Sequence, residues 1–103
     1  MLIRIVRMVF QEAHVTDFRS IFDSSKRQIR AFPGCRHLEL LRDPDQPATF
    51  VTYSHWDSPE ALEQYRRSDL FRTTWAATKP LFAQRATAFS VETVEVVGPS
   101  AGG

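Results

Sequence analysis

The chain has 103 residues, a formal net charge of +1 at pH 7 and a single cysteine. This length fits one domain of the usual ~100–200 residues, and the balanced charge argues against a nucleic-acid or anionic-membrane partner. One cysteine excludes an internal disulfide and any metal site built from several cysteines. Arg4 and Arg7 interrupt the apolar N-terminal run, unlike a signal peptide, and no run approaches the ~20 apolar residues of a membrane span. We therefore expect a cytoplasmic protein.

The first predicted element is a strand at residues 2–10, which is apolar at odd and even positions apart from two arginines. Such a run is typical of a strand that is buried on both faces and central in its sheet. The apolar period then changes to steps of three and four residues, which predicts an amphipathic helix of four to five turns ending at Pro33-Gly34. The stripe that should face the core is Val15, Phe18, Ile21, Phe22, Ser25, Ile29 and Phe32.

The second and third strands are predicted at residues 35–42 and 48–56. Residues 35–42 alternate between two faces, and residues 48–56 are rich in β-branched and aromatic side chains. The connector at 43–47 contains two prolines, which cannot continue a strand. Because this connector is short, we expect the two strands to form an antiparallel hairpin.

A helix start follows the third strand, and two capping arrangements are possible. Either Asp57 caps the helix with a glutamate at the third helical position, or Ser58 caps it with a proline at the first. The helix should run to about Arg67, where a Ser-Asp pair separates it from a further helical piece. That piece should kink or end at Pro80.

A last strand is predicted at residues 87–97, and residues 98–103 should form a flexible tail after a single domain of residues 1–97. The order β-α-β-β-α-β fits a ferredoxin-like α+β fold, with an antiparallel sheet and its helices on one face. The other face would be open, although the first strand is apolar on both sides. Two copies that stack these faces would bury them symmetrically, so we expect a homodimer.

Four polar residues form the first candidate site. If the hairpin pairs in the corresponding register, His37, Glu39, Tyr53 and His55 share one sheet face, with His37 opposite His55. His37, His55 and Tyr53 are then candidate catalytic residues, because an imidazole with polar neighbours can act as a general base near neutral pH. The alternative is a hydrogen-bonded polar patch inside the dimer interface or on its rim. The spacing shows no specific metal pattern, so no metal is assigned.

Aromatic residues give a second set of candidates. Trp56 ends a strand and Trp75 lies on an apolar helical stripe, positions that are typical of core residues. Alternatively, these tryptophans line a substrate pocket together with Glu39 and Tyr65. Cys35 has no obvious activating partner, and we interpret it as a packed residue rather than a nucleophile.

Three segments together resemble the antibiotic biosynthesis monooxygenase (ABM) family. They are FPGC at 32–35, YSHWDSPEAL at 53–62 and SDLF at 68–71. The resemblance implies a dimeric α+β barrel over essentially the whole domain. It points to an activity less sharply, because the family includes cofactor-independent oxygenases of phenols and quinols, haem-degrading enzymes, an isomerase and proteins without an assigned activity.

The resemblance also bears on cofactors. Haem-degrading relatives carry an axial histidine on the helix after the Ser-Asp-x-Phe-like segment, and the matching position here is Trp75, whose indole cannot donate a lone pair to iron. Their first-strand asparagine is matched near Val6 by an apolar residue. The chain also lacks the G-x-G-x-x-G and P-loop patterns. We therefore expect no cofactor.

These observations favour a cofactor-independent monooxygenase of a small aromatic or quinol. Two alternatives stay open: a non-catalytic dimer that binds a small ligand, and an isomerase of a small metabolite. A pocket lined by aromatic residues would favour the oxygenase or the binding protein, whereas several charged groups would favour the isomerase.

Overall fold

A computed structural model describes residues 1–100 of the chain. Its four strands form one antiparallel sheet in the order β2-β3-β1-β4: β1 (Leu2–Val9), β2 (Cys35–Arg42), β3 (Thr49–Trp56) and β4 (Thr87–Glu92). Three helices cover one face of the sheet: α1 (Val15–Arg30), α2 (Pro59–Arg66) and α3 (Asp69–Thr78). Short 3₁₀ turns lie at Glu12–His14 and Lys79–Leu81. The predicted α+β ferredoxin-like fold is confirmed, and β1 is central in the sheet, as its two apolar faces predicted.

The main core lies between the central strands and α1. Met8, Phe10 and Phe50 pack there against Phe18 of α1, and each of the four is at most 3% exposed. The rings of Phe10 and Phe18 stack with their centroids 4.1 Å apart. Each such side chain contributes roughly 1.5–3 kcal/mol by leaving water. The apolar stripe predicted for α1 therefore faces the core, and it also buries Ile29.

The corner between β3 and α2 resolves the question of the helix cap. Ser58 caps α2, since its Oγ accepts a hydrogen bond from the backbone N–H of Ala61 at 3.1 Å and Pro59 occupies the first turn. Asp57 instead forms a bidentate ion pair with Arg36 at 2.7 and 2.8 Å. The hydrogen bond from this guanidinium lowers the pKa of the Asp57 carboxyl. The pair thus links the end of β3 to the start of β2.

Gly34 makes a close approach possible at the same corner. It has φ +89°, in the left-handed region that favours glycine. A Cβ at this position would lie 2.6 Å from the Cβ of Ala61 on α2. The Gly34 carbonyl also accepts the backbone N–H of Asp57 at 2.9 Å. A side chain at Gly34 would therefore push α2 away from the sheet.

The last strand is shorter than predicted. The alternation in the sequence predicted a strand to residue 97, but β4 ends at Glu92. Its partner β1 starts at Leu2, which pairs with Glu92, so no strand remains for later residues to join. Val94, Val96 and Val97 are accordingly 81–94% exposed. Of the predicted tail, residues 98–100 have no regular structure, and 101–103 lie outside the described residues.

Side-chain alternation gives the sheet a helix face and an open face. Even-numbered residues of β1 and β3, such as Met8 and Phe50, point toward the helices, and the odd-numbered residues point away. On the open face, Leu41, Phe89 and Val91 are 40–50% exposed. Among residues 1–100, no helix combines the length and the apolar character needed to cross a membrane.

Candidate functional site

A cavity of about 300 Å³ lies between the helix face of the sheet and the three helices. All four strands contribute to its floor, and the helices supply its walls. The lining is largely apolar, and its size is typical of a site for a small organic ligand. The aromatic residues that line it are Phe18, Phe22, Trp56, Tyr65, Phe71 and Trp75.

Trp56 joins the cavity to a second, smaller core. The side chain is 1% exposed and packs with Cys35 and Leu62, in agreement with its interpretation as a core residue. Its indole N–H donates to the Ser54 hydroxyl at 3.0 Å, and the indole stacks on Tyr65 with centroids 4.9 Å apart. The indole therefore holds a fixed orientation at the cavity wall.

The other aromatic wall comes from α2 and α3. Ser68 separates the two helices, because its Oγ accepts the backbone N–H of Phe71 at 3.1 Å and so caps α3. This break places Phe71 against the edge of Tyr65 and parallel to Trp75, with centroids 5.3 and 5.8 Å apart. Burial raises the pKa of Tyr65 to about 12. The phenol is therefore neutral at neutral pH and available as a hydrogen-bond donor.

The polar groups of the lining include two cations. Arg4 lies on the helix face of β1 and donates to the Ser90 hydroxyl at 3.1 Å. Burial lowers the pKa of Arg4, and the positive charge of Arg66 on α2 lowers it further. Arg66 itself lies 3.6 Å from a Glu63 carboxylate oxygen. Among residues 1–100, the side chains that line the cavity include no carboxylate and no imidazole.

A separate polar cluster lies on the open face. The hairpin has the register that the sequence left as a condition, because His37 pairs with His55 and Glu39 pairs with Tyr53 across β2 and β3. The two imidazole centroids are 5.0 Å apart, and Nε2 of His37 lies 2.9 Å from a Glu39 oxygen. Nε2 of His55 is buried without a hydrogen-bond partner among the described residues. Burial, and then the proximity of His37, lowers the pKa of His55.

The family can be assigned from the sequence match. The chain matches the model of the antibiotic biosynthesis monooxygenase family over residues 1–77, which include the corner and most of the cavity lining. The chain belongs to the antibiotic biosynthesis monooxygenase family. This confirms the resemblance carried by the three short segments. A search of curated proteins finds no match to the chain.

Solved structures show the same fold at low sequence identity. A candidate antibiotic biosynthesis monooxygenase from Deinococcus radiodurans superposes with a TM-score of 0.87 at 20% identity, covering 98% of this chain and 100% of its own. A similar candidate from Nitrosomonas europaea superposes with a TM-score of 0.85 at 16% identity, and the match covers 92% of this chain and 100% of the other. A protein from Mycobacterium tuberculosis superposes with a TM-score of 0.85 at 20% identity, and the match covers 94% of this chain and 98% of the other. At such identities these likenesses concern the fold alone.

In this ABM-family chain the seven predicted site residues do not form one site. Trp56, Tyr65 and Trp75 line the cavity on the helix face. Glu39 was predicted to lie in the pocket with these aromatic residues, but it lies on the open face with the catalytic candidates. The reason is the alternation along the strands, which turns the odd-numbered residues of β2 from His37 onward, and of β3, away from the helices. A register shift between Cys35 and His37 leaves Cys35 buried on the helix face instead, so the predicted alternation did not hold at the start of β2. The sequence placed Glu39 on the face of the histidines but could not show which face holds the cavity.

Several polar residues of the cavity were not among the site residues predicted from the sequence. Arg4 has the same parity as Met8, whose burial marks the helix face, so the alternation along β1 turns Arg4 toward the helices. The sequence did not show which parity would be the inner one, because β1 is apolar at both. Ser54 and Thr52 follow the same rule on β3. Arg66 offered no comparable signal, because α2 is short and mostly polar. Within the described part of the chain, no group of three or more His, Cys, Asp or Glu side chains is arranged to hold a metal ion.

Proposed function

We propose that this ABM-family protein is a cofactor-independent monooxygenase of a small electron-rich phenol or quinol, which it binds in the cavity on the helix face. The observation that carries the proposal is the aromatic lining of this cavity of about 300 Å³. Aromatic walls favour an aromatic ligand through stacked and edge contacts. The apolar surroundings would also keep water from reactive intermediates.

The proposed chemistry needs no electron donor other than the substrate. A phenol loses its proton, and the phenolate transfers an electron to O₂. The two radicals then combine to a hydroperoxide at a ring carbon, and loss of water leaves a quinone. The sum is phenol plus O₂ giving quinone plus water, or quinol plus O₂ giving hydroxyquinone plus water, and the ring supplies every electron in both cases. The protein has to orient the ring, favour the phenolate and exclude water.

Two sets of residues are candidates for the step that removes the proton. His37 and His55, with Tyr53, remain the proposed general base and its partners, but they would require a substrate on the open face. In the cavity, the cationic groups Arg4 and Arg66 could favour loss of the proton to water, since a nearby positive charge lowers the pKa of an acid. The aromatic lining favours the cavity as the place of reaction.

We further propose that the open face is the interface of a homodimer. On this face, Phe89 and Val91 of β4 are 50% and 42% exposed and pair with Ile5 and Ile3 of the central strand. Leu41 is 40% exposed on the same face but lies on β2, where it pairs with Val51. Contiguous apolar surface of this kind marks interaction sites. A second copy would cover it symmetrically and enclose the histidines.

Oxygen uptake tests the proposed activity. The protein is incubated with a set of hydroquinones and naphthols, and O₂ consumption is followed with quinone formation. We expect saturable uptake of one O₂ for each quinone formed. Thr74→Phe should abolish it by filling the cavity, whereas Thr73→Phe, an exposed neighbour on α3, should not. Equal uptake by both variants would show that the cavity is not the site of reaction.

A non-catalytic binding protein is the second candidate, and the lining without carboxylate or imidazole favours it. This protein would bind the same aromatic ligands in the cavity without O₂ uptake. The isomerase is less well supported, because the charged groups of the lining are two arginines and no acid.

A further inference from the structure

The cavity carries positive charge that no acidic group of its lining balances. We infer that its ligand binds as an anion, with a negatively charged oxygen on an aromatic ring placed against Arg4 and Arg66. This inference rests on the proposed function and names the substrate class of the same site: a phenol that binds as its phenolate, or an aromatic acid. Its first support is the position of Arg4.

Arg4 is a charged residue on the buried side of a central strand. It pairs with Ser54 on β3 and with Ser90 on β4, so small polar side chains flank it on both sides. Within residues 1–100, the only hydrogen bond that its guanidinium donates goes to the neutral Ser90 hydroxyl. It takes part in none of the ion pairs formed within the same residues. A half-buried guanidinium with most of its five donors free can accept an anion.

Arg66 adds a second positive charge to the same lining. It stands in the last turn of α2, and its nearest acid is Glu63, at a long 3.6 Å. The charge of Arg66 lowers the pKa of Arg4, which means that the two cations repel each other. An anion held near both would relieve this repulsion. The other titratable group on α2 that lines the cavity, Tyr65, is a neutral donor.

The aromatic part of the lining indicates what the uncharged part of the ligand should be. Phe22, Phe71 and Trp75 offer ring surfaces and no charge, so a small inorganic anion would leave most of the cavity without contact. An aromatic ring with an anionic oxygen would contact both the aromatic side chains and the two arginines. The same arrangement would lower the pKa of a bound phenol, so that the phenolate forms without a general base in the lining.

Matched ligands test the charge. Binding of naphthoate and of its neutral analogue naphthamide is measured by titration calorimetry. We expect naphthoate to bind more tightly by about 10–100-fold, the effect of hydrogen bonds to charged groups. Arg4→Met should remove most of this preference, and Arg66→Met, at a surface position, should reduce it. Arg7→Met is the control, since Arg7 lies on the same strand but is exposed and points to the open face.

A bound naphthol supplies a second measurement that does not depend on comparing affinities. Its absorbance distinguishes the neutral form from the anion, and its pKa in the complex should fall by ~1–3 relative to water. Arg66→Met should weaken this shift, and Arg4→Lys, which keeps the charge, should keep part of it. These two variants decide the question even if Arg4→Met does not fold.

Each result separates the inference from the proposed function. Equal binding of naphthoate and naphthamide, or an unchanged naphthol pKa, would overturn the anion site while leaving an aromatic cavity. A preference for naphthoate that survives both arginine variants would also overturn it. An anion preference that depends on Arg4, without O₂ uptake from any quinol, would support the anion site and reject the oxygenase. If neither naphthoate nor naphthamide binds, both the anion site and the proposed function are rejected.

Discussion

The two faces of the sheet differ in chemistry although they are built from the same strands. The helix face encloses an aromatic cavity with two arginines, whereas the open face carries two histidines, a glutamate and a tyrosine beside exposed apolar residues. Neighbours in the sequence, such as Tyr53 and Ser54, belong to different faces. A cluster of titratable residues therefore need not lie near the cavity, even when all of its members meet in space.

The largest expected effect concerns the helix face. Trp56→Ala should lower the free energy of unfolding by about 3–5 kcal/mol, the usual cost of truncating a large buried aromatic side chain. Since a domain has only ~5–15 kcal/mol in total, this variant should be barely folded. Trp75→Ala is the control and should cost less, because Trp75 is only half-buried. Urea denaturation measures both, and a loss below about 1 kcal/mol for Trp56→Ala would contradict its burial.

On the open face, the largest expected effect is on assembly. The protein should sediment at twice the chain mass of 11.8 kDa at micromolar concentration. Phe89→Asp should yield monomers, because burying an unpaired carboxylate in the interface costs several kcal/mol, while naphthoate binding in the cavity should persist. Ser90→Asp, one residue along β4 on the helix face, should show the reverse: an intact dimer and weakened naphthoate binding. A monomeric wild-type protein would reject the interface.

The histidines decide whether the open face has a catalytic role. If they only make hydrogen bonds in the interface, His37→Gln and His55→Gln should weaken the dimer by about 1–3 kcal/mol and leave turnover intact. If one of them is the general base, turnover should fall by ~10²–10⁴-fold with little change in the melting temperature. Sedimentation, thermal melts and O₂ uptake on each variant separate these outcomes. We expect the first, because the cavity lies on the other face.

The smallest expected effect is a dependence of stability on pH. Burial and His37 lower the pKa of His55 below its ordinary value of 6.5, so the unfolded chain takes up this proton more readily than the folded one. Stability should therefore be complete above about pH 6.5 and fall as the pH drops through the lowered pKa. His55→Gln should make the free energy of unfolding less sensitive to pH in this range. If urea melts give His55→Gln the same pH dependence of unfolding as the wild type, other groups cause that dependence.

Much of the fold could be predicted because its signals are local. The alternation of β2 and β3 and the short connector between them predicted an antiparallel hairpin in which one register brings His37 opposite His55, and the structure has this register. The change of period at Val15 marked α1, and the residues around Gly34 and Ser58 marked its end and the start of α2. These features depend on residues that are close together in the sequence, so they can be predicted without knowing the tertiary structure.

Other features depend on what packs against each element. From the sequence, Asp57 and Ser58 were equal candidates for the helix cap. In the structure, Asp57 pairs with Arg36, which is distant in the sequence, and Ser58 is the cap. The end of β4 was decided by the length of its partner β1, not by its own alternation. The position of the cavity follows from which face the helices cover, and this determines that Arg4 lines it while Glu39 does not. Alternation assigns residues to two faces, but only the packing of helices on one of them makes that face an interior.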